Sequence, residues 1–143
     1  TLKYFTIWYG VLSKKDRVLK YASAGHPHAI LLNQDKAKHK PNLKTLATKG
    51  VAVGCFDGVN YLEDQIQLSN KDKLYVFSDG VYEIVDRDDK EMTLADFTAL
   101  IDKDFNSLEH LQSELIYEKI KKLKKDDGPL DDDFSIVELI INP

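Results

Sequence analysis

Leu74-Tyr75-Val76-Phe77-Ser78-Asp79-Gly80 is the stretch on which the fold turns. Four consecutive apolar residues, entered through the polar turn Asn70-Lys71-Asp72, have the length of a strand and no alternation, the mark of an interior strand covered on both faces. This strand runs straight into a carboxylate. Downstream, Thr93 is the expected N-cap of a helix carrying Leu94, Phe97, Leu100 and Ile101 at spacings of three and four, which makes one apolar face. Ser107 is expected to cap a longer helix with the stripe Leu108, Leu111, Leu115, Ile116, Ile120 and Leu123, ended beyond Lys125 by Asp127-Gly128-Pro129. Lys121, Lys122, Lys124 and Lys125 then read as a solvated face opposing the negative end of the helix dipole. Phe134 to Ile141 closes the chain as a β-branched strand.

Upstream, Tyr4 to Leu12 and Arg17 to Ser23 flank the polar turn Ser13-Lys14-Lys15-Asp16 and predict a hairpin. Ala24-Gly25-His26-Pro27 breaks the second strand, because proline disfavours helix in the residue before it. Ala29 to Leu32 resumes as a short buried strand, and residues 33–49 read as a loop containing one edge strand. Gly50 to Gly54 alternates small residues, and Tyr61 to Leu68 mixes apolar residues with acids.

The composition excludes several classes. With 143 residues, 43% hydrophobic and 31% charged, the chain has the make-up of one globular domain. Twenty Lys and Arg against 24 Asp and Glu give a net charge of −4, which argues against a nucleic-acid binder. Cys55 is the single cysteine, so no internal disulfide forms. No apolar run approaches the roughly 20 residues that span a bilayer, so no membrane contact is expected of this segment and a cytoplasmic location is. With no initiating Met before a strand-like start, the chain is expected to be part of something longer.

The candidates for chemistry are acids at strand ends. Asp79 leaves the Leu74–Phe77 strand, and Asp131-Asp132-Asp133 enters the last one. Gathering carboxylates near a core is costly unless water or a shared cation relieves them. If the two strands are neighbours, an oxygen-only site for Mg²⁺ or Mn²⁺ results, whereas the scattered histidines and lone cysteine offer no zinc spacing. Each acid also has a plain reading: Asp-Gly after a strand is commonly a turn, and a run of aspartates commonly a solvated loop. His26 reads first as a turn residue, and Ser23 and Ser78 lack a base that would make either a nucleophile.

In combination, five motifs span nearly the whole chain in order: Tyr4–Leu12, Tyr21-Ala22-Ser23-Ala24-Gly25-His26-Pro27, Gly50–Gly54, Leu74–Val81, and Asp132-Asp133-Phe134-Ser135-Ile136-Val137. The combination resembles the bacterial metal-dependent type-2C serine/threonine phosphatases, in the branch typified by stage II sporulation protein E. The resemblance implies an α+β fold, a sandwich of two mainly antiparallel sheets with flanking helices (α-β-β-α). It implies a two-metal Mn²⁺ or Mg²⁺ centre at one end, where water activated by the metals attacks phosphoserine or phosphothreonine without a phosphoenzyme. On that resemblance Asp79 and Asp132 are metal ligands, Gly80 and Asp133 stand beside them, and His26 is placed to contact substrate or tune the site. Ser135 stands where the family usually has Thr. The implied partner is a phosphorylated regulatory protein, an anti-sigma-factor antagonist.

The family's first motif, which supplies the acid bridging both metals, has no counterpart here. Residues 1–143 are therefore expected to form a single partial domain, retaining ligands for at most one metal, weakly bound. The fragment alone is expected to be inactive, and its uncovered apolar faces would favour self-association. A non-catalytic binding module of the same fold is the rival reading.

Overall fold

The computed structural model describes residues 3–35 and 40–142; His39 and the middle of the 33–49 loop lie outside the described residues. Among the described residues, seven strands and two α-helices follow one another as β1 (Ile7–Leu12), β2 (Val18–Ala24), β3 (Ala29–Asp35), β4 (Lys40–Leu46), β5 (Asp64–Gln67), β6 (Lys73–Phe77), α1 (Leu94–Asp104), α2 (Ser113–Leu123) and β7 (Ile136–Ile140). The strands form two antiparallel sheets, one in the order β1-β2-β5 and the other in the order β4-β3-β6-β7. The expected α+β sandwich is what the chain builds.

The position of β6 explains its unbroken apolar run. It lies between β3 and β7, so both of its edges are paired, and a separate core packs on each of its faces. Tyr75 and Phe77 point to one side, into a core shared with Ile30, Leu32, Phe97, Ile101, Ile116 and Ile120. Leu74 and Val76 point to the other, into the core between the sheets with Leu19, Tyr21, Leu31, Leu46 and Trp8. Fully burying each such side chain stabilises the fold by about 1.5–3 kcal/mol. Both α-helices pack on the outer face of the four-stranded sheet. The outer face of the other sheet carries Tyr9, 61% exposed, and Val11, 50% exposed.

α1 starts as its sequence dictates. The Thr93 hydroxyl accepts from the Asp96 amide at 3.2 Å, and the Asp96 carboxylate accepts from the Thr93 amide at 3.0 Å, a reciprocal capping box. α2 does not. Its N-cap is Gln112 and not Ser107, and Leu111 and Leu115 of the expected stripe are 64% and 60% exposed. The reason is a cap from another element: Glu138 Oε2 on β7 accepts from the Gln112 and Ser113 amides at 2.6 and 2.8 Å. A carboxylate there satisfies orphan N–H groups and opposes the positive dipole end. The lysine run is also not uniformly solvated, because Lys124 is buried.

Candidate metal centre

The register of the four-stranded sheet brings the acids together. Phe77, the last residue of β6, pairs with Ile136, the first of β7, so the residues just past one and just before the other share one end of the sheet. There Asp79, Glu83 and Asp132 each offer a carboxylate oxygen, all within 4.8 Å of one another, and all three residues are exposed. It is the one such group found among the described residues. No ion pair joins any of the three to a lysine or arginine among the described residues.

Two local devices hold this arrangement. Ser78 spans to the acidic loop: its amide donates to Ser135 O at 2.9 Å, its hydroxyl donates to Asp133 O at 2.8 Å, and Ser135 N donates back to that hydroxyl at 3.1 Å. Gly80 then lets the loop come close, since a Cβ there would lie 2.3 Å from the Asp133 carbonyl oxygen. No side chain fits that gap without moving the backbone.

Beyond Asp79 the chain makes a single 3-10 turn, Asp79–Val81, and the Glu83 amide donates to Asp79 O at 3.0 Å. This helical geometry brings residue i+4 back beside residue i, which is how Glu83 reaches Asp79. Asp79 and Asp132 therefore converge as expected. Glu83 was legible only as the fourth residue after Asp79, a spacing that matters once the turn is known to be helical.

Asp133 contributes its carbonyl to Ser78, and its carboxylate is outside the group. His26 is outside it as well, with Nδ1 3.0 Å from Pro27 O. The register Ile30↔Tyr75 nevertheless sets the turn before β3 at the same end of the sheet as Asp79. Gly25 takes φ +66° in that turn and its amide donates to Gly50 O at 2.9 Å, which joins the second and third sequence motifs. Near the acids, burial and then the negative charges of Asp79 and Glu83 push the Tyr82 hydroxyl up from its ordinary range.

The donor set fits a hard divalent cation. Oxygens bound octahedrally at about 2.1 Å lie about 3.0 Å apart when adjacent and about 4.2 Å apart when opposite. Separations within 4.8 Å are near that span, so small side-chain rotations would bring the three onto one ion. With three carboxylates and neither imidazole nor thiolate, the set suits Mg²⁺ or Mn²⁺ better than zinc.

Solved structures share these stacked antiparallel sheets, and their fold is that of PP2C phosphatase domains. The chain is similar to the phosphatase domain of the cell fate determinant SpoIIE from Bacillus subtilis, with TM-score 0.69 and 16% identity over 96% of this chain and 56% of that one. The RsbU and RsbW domains of a Mycobacterium tuberculosis protein match with TM-score 0.66 and 19% identity over 93% of this chain and 35% of that one. The SiaA-PP2C domain of Pseudomonas aeruginosa matches with TM-score 0.65 and 15% identity over 94% and 51%. The chain belongs to the SpoIIE family, described as stage II sporulation protein E, which matches residues 1–141. It spans little more than half the length of the SpoIIE phosphatase domain it resembles. No curated protein sequence matches it significantly. No helix among the described residues is long and apolar enough to cross a membrane.

Proposed function

We propose that this chain forms part of a Mn²⁺- or Mg²⁺-dependent protein serine/threonine phosphatase that hydrolyses phosphoserine or phosphothreonine in a regulatory protein, an anti-sigma-factor antagonist. The observation that carries the reading is the convergence of Asp79 and Glu83, one helical turn apart, with the distant Asp132 at the end of a two-sheet sandwich of this family. A scaffold has no need to collect three carboxylates without a counter-charge, since mutual repulsion disfavours it. Asp79 and Asp132 would hold the ion with Glu83 closing the group. The bound ion would lower the pKa of a water and polarise the phosphoryl group.

The chain's own residues set the frame for that chemistry. Ser78 and Gly80 keep the Asp132 loop against the Asp79 turn, and the exposed position of the acids leaves room for a protein substrate. Three carboxylates make an open site for one ion, and the chain covers 56% of its SpoIIE relative. On both grounds the chain alone is assigned weak metal binding and little turnover. Titrating Mn²⁺ calorimetrically into the unmodified chain, Asp79→Asn and Asp132→Asn tests the centre; equal heats from all three would mean that neither acid is a ligand. Assaying Mn²⁺-dependent hydrolysis of a phosphoserine peptide by this chain and by a longer protein that includes it tests the activity. Inactivity of the longer protein would remove the enzyme reading.

A further inference from the structure

Lys124 stands apart from the lysines around it. It follows the last residue of α2, yet its side chain is 4% exposed, with Nζ 2.6 Å from Asp126 Oδ1 and 3.8 Å from Asp131 Oδ1. Asp126 Oδ1 also accepts from Gly128 N at 2.8 Å, so one oxygen ties the ammonium to the first turn of the α2–β7 loop. The second contact reaches the residue directly before Asp132. The backbone here is held too: Lys125 N donates to Val85 O at 2.9 Å, and Asp86 bridges Lys124 antiparallel. At the far end of the loop the Phe134 ring packs edge-on to Tyr117 of α2, centroids 5.1 Å apart.

Burying an ammonium is costly unless its partners are well placed. The two acids it meets are themselves 66% and 68% exposed, so they would be hydrated without it. The helix dipole does not call for burial either, since an exposed cation serves it. What the buried charge does achieve is to fix the path of the chain between α2 and Asp132, while the same stretch of backbone braces the segment that follows Glu83.

We propose that Lys124 is a positioning residue, whose buried ammonium holds the 126–132 loop in the conformation that delivers Asp132 to Asp79 and Glu83. The metal arm of the test below rests on the metal-centre reading; the exchange arm does not. Lys124 has two opposed effects on a cation at the site. Its charge repels the ion, and its hold on the loop presents the ligand. A bystander charge and a positioning residue therefore predict opposite signs on removal.

The experiment uses the chain with Lys124→Met, which keeps the aliphatic stem, and Lys124→Arg, which keeps the charge. Hydrogen exchange at the Gly128, Asp133 and Ser135 amides is expected to accelerate by at least about tenfold in Lys124→Met, with the Phe97 and Ile101 amides of the core unchanged. Lys124→Arg restores most of the protection. Calorimetry with Mn²⁺ alone is expected to show weaker binding to Lys124→Met. Unchanged exchange in the loop, or tighter Mn²⁺ binding with unchanged exchange, would overturn the proposal. If no form binds Mn²⁺, the metal-centre reading fails and the exchange result alone decides. Should Lys124→Met not fold, Asp126→Asn loosens the same tie from an exposed residue and must accelerate the same amides.

Discussion

Toward the start of β6 the Lys73 ammonium lies 2.7 Å from Glu138 Oε1 across the strand pair, with side chains 0% and 2% exposed; past the other end, Asp79, Glu83 and Asp132 are exposed and paired with no lysine or arginine among the described residues. The same two strands thus carry charge in two ways. The buried pair is saturated: Glu138 also accepts from the Tyr75 hydroxyl at 2.9 Å and from two α2 amides, and Lys73 donates to His110 O as well. Interior charge is tolerable because each Glu138 oxygen meets two donors and the ammonium meets two acceptors. At the acid group the partners are single neighbouring amides, Gly80 N to Asp79 Oδ1 at 3.1 Å and Asp133 N to Asp132 Oδ1 at 2.7 Å, so most of its charge is left to solvent or to an ion from outside. One end holds the fold together and the other is available for chemistry.

The sharpest way to break this contrast is to remove one member of the buried pair. Glu138→Ala should cost about 3–5 kcal/mol in urea unfolding, since it strands a buried ammonium and uncaps α2. The double variant Lys73→Met/Glu138→Leu should cost well under the sum of its single changes. A sum that is simply additive would show that the pair is not coupled. Burial pushes the Glu138 carboxyl up, but hydrogen bonds from Lys73, the Gln112 amide and the Tyr75 hydroxyl outweigh it, and the net shift is below the ordinary value. A carboxyl depressed in the folded state stabilises at pH above its unfolded value and loses that contribution as pH falls through its folded value. Glu138→Gln should therefore flatten part of the stability loss on the acid side of pH 4.5, the group's ordinary value.

The exposed end should answer to metal instead. A ligand that binds only the folded state, at a hundredfold excess over its Kd, adds about 2.7 kcal/mol. Mn²⁺ at that excess should stabilise the unmodified chain by this amount and leave Asp79→Asn unmoved, while without Mn²⁺ the two should agree within about 0.5 kcal/mol. Identical Mn²⁺ responses would sink the contrast. Next in size is the hinge between the two motifs. Gly80→Ala places a methyl 2.3 Å from the Asp133 carbonyl oxygen, and relieving that overlap should cost about 1–3 kcal/mol and weaken Mn²⁺ binding together with stability.

The sequence makes the acid end easier to read than the buried end, and the reason is locality. Asp79 and Asp132 are visible because each adjoins an apolar run, and the fold follows once Leu74–Phe77 is read as an interior strand. Glu138 looks like a polar interruption in a strand, and Lys73 like the polar residue before one. Nothing near either residue announces that they meet, because the contact is made by strand pairing. Glu83 and Lys124 are hard to read for the same reason. One depends on the 3-10 turn after Asp79 and the other on where a loop folds back.

The helix starts put locality to its finest test. Thr93 and Asp96 are three residues apart and cap α1 from within the sequence, whereas α2 is capped by Glu138 from β7. Thr93→Ala should cost about 1 kcal/mol, the ordinary worth of an N-cap hydroxyl. Ser107 looks equally suited in sequence, but its hydroxyl only accepts from the Glu109 amide at 3.3 Å, well before α2 begins. Ser107→Ala should stay within about 0.5 kcal/mol, and parallel urea titrations of the two variants resolve the difference. Equal losses would return the start of α2 to Ser107 and take from Glu138 its second role, leaving the buried pair as an ion pair alone.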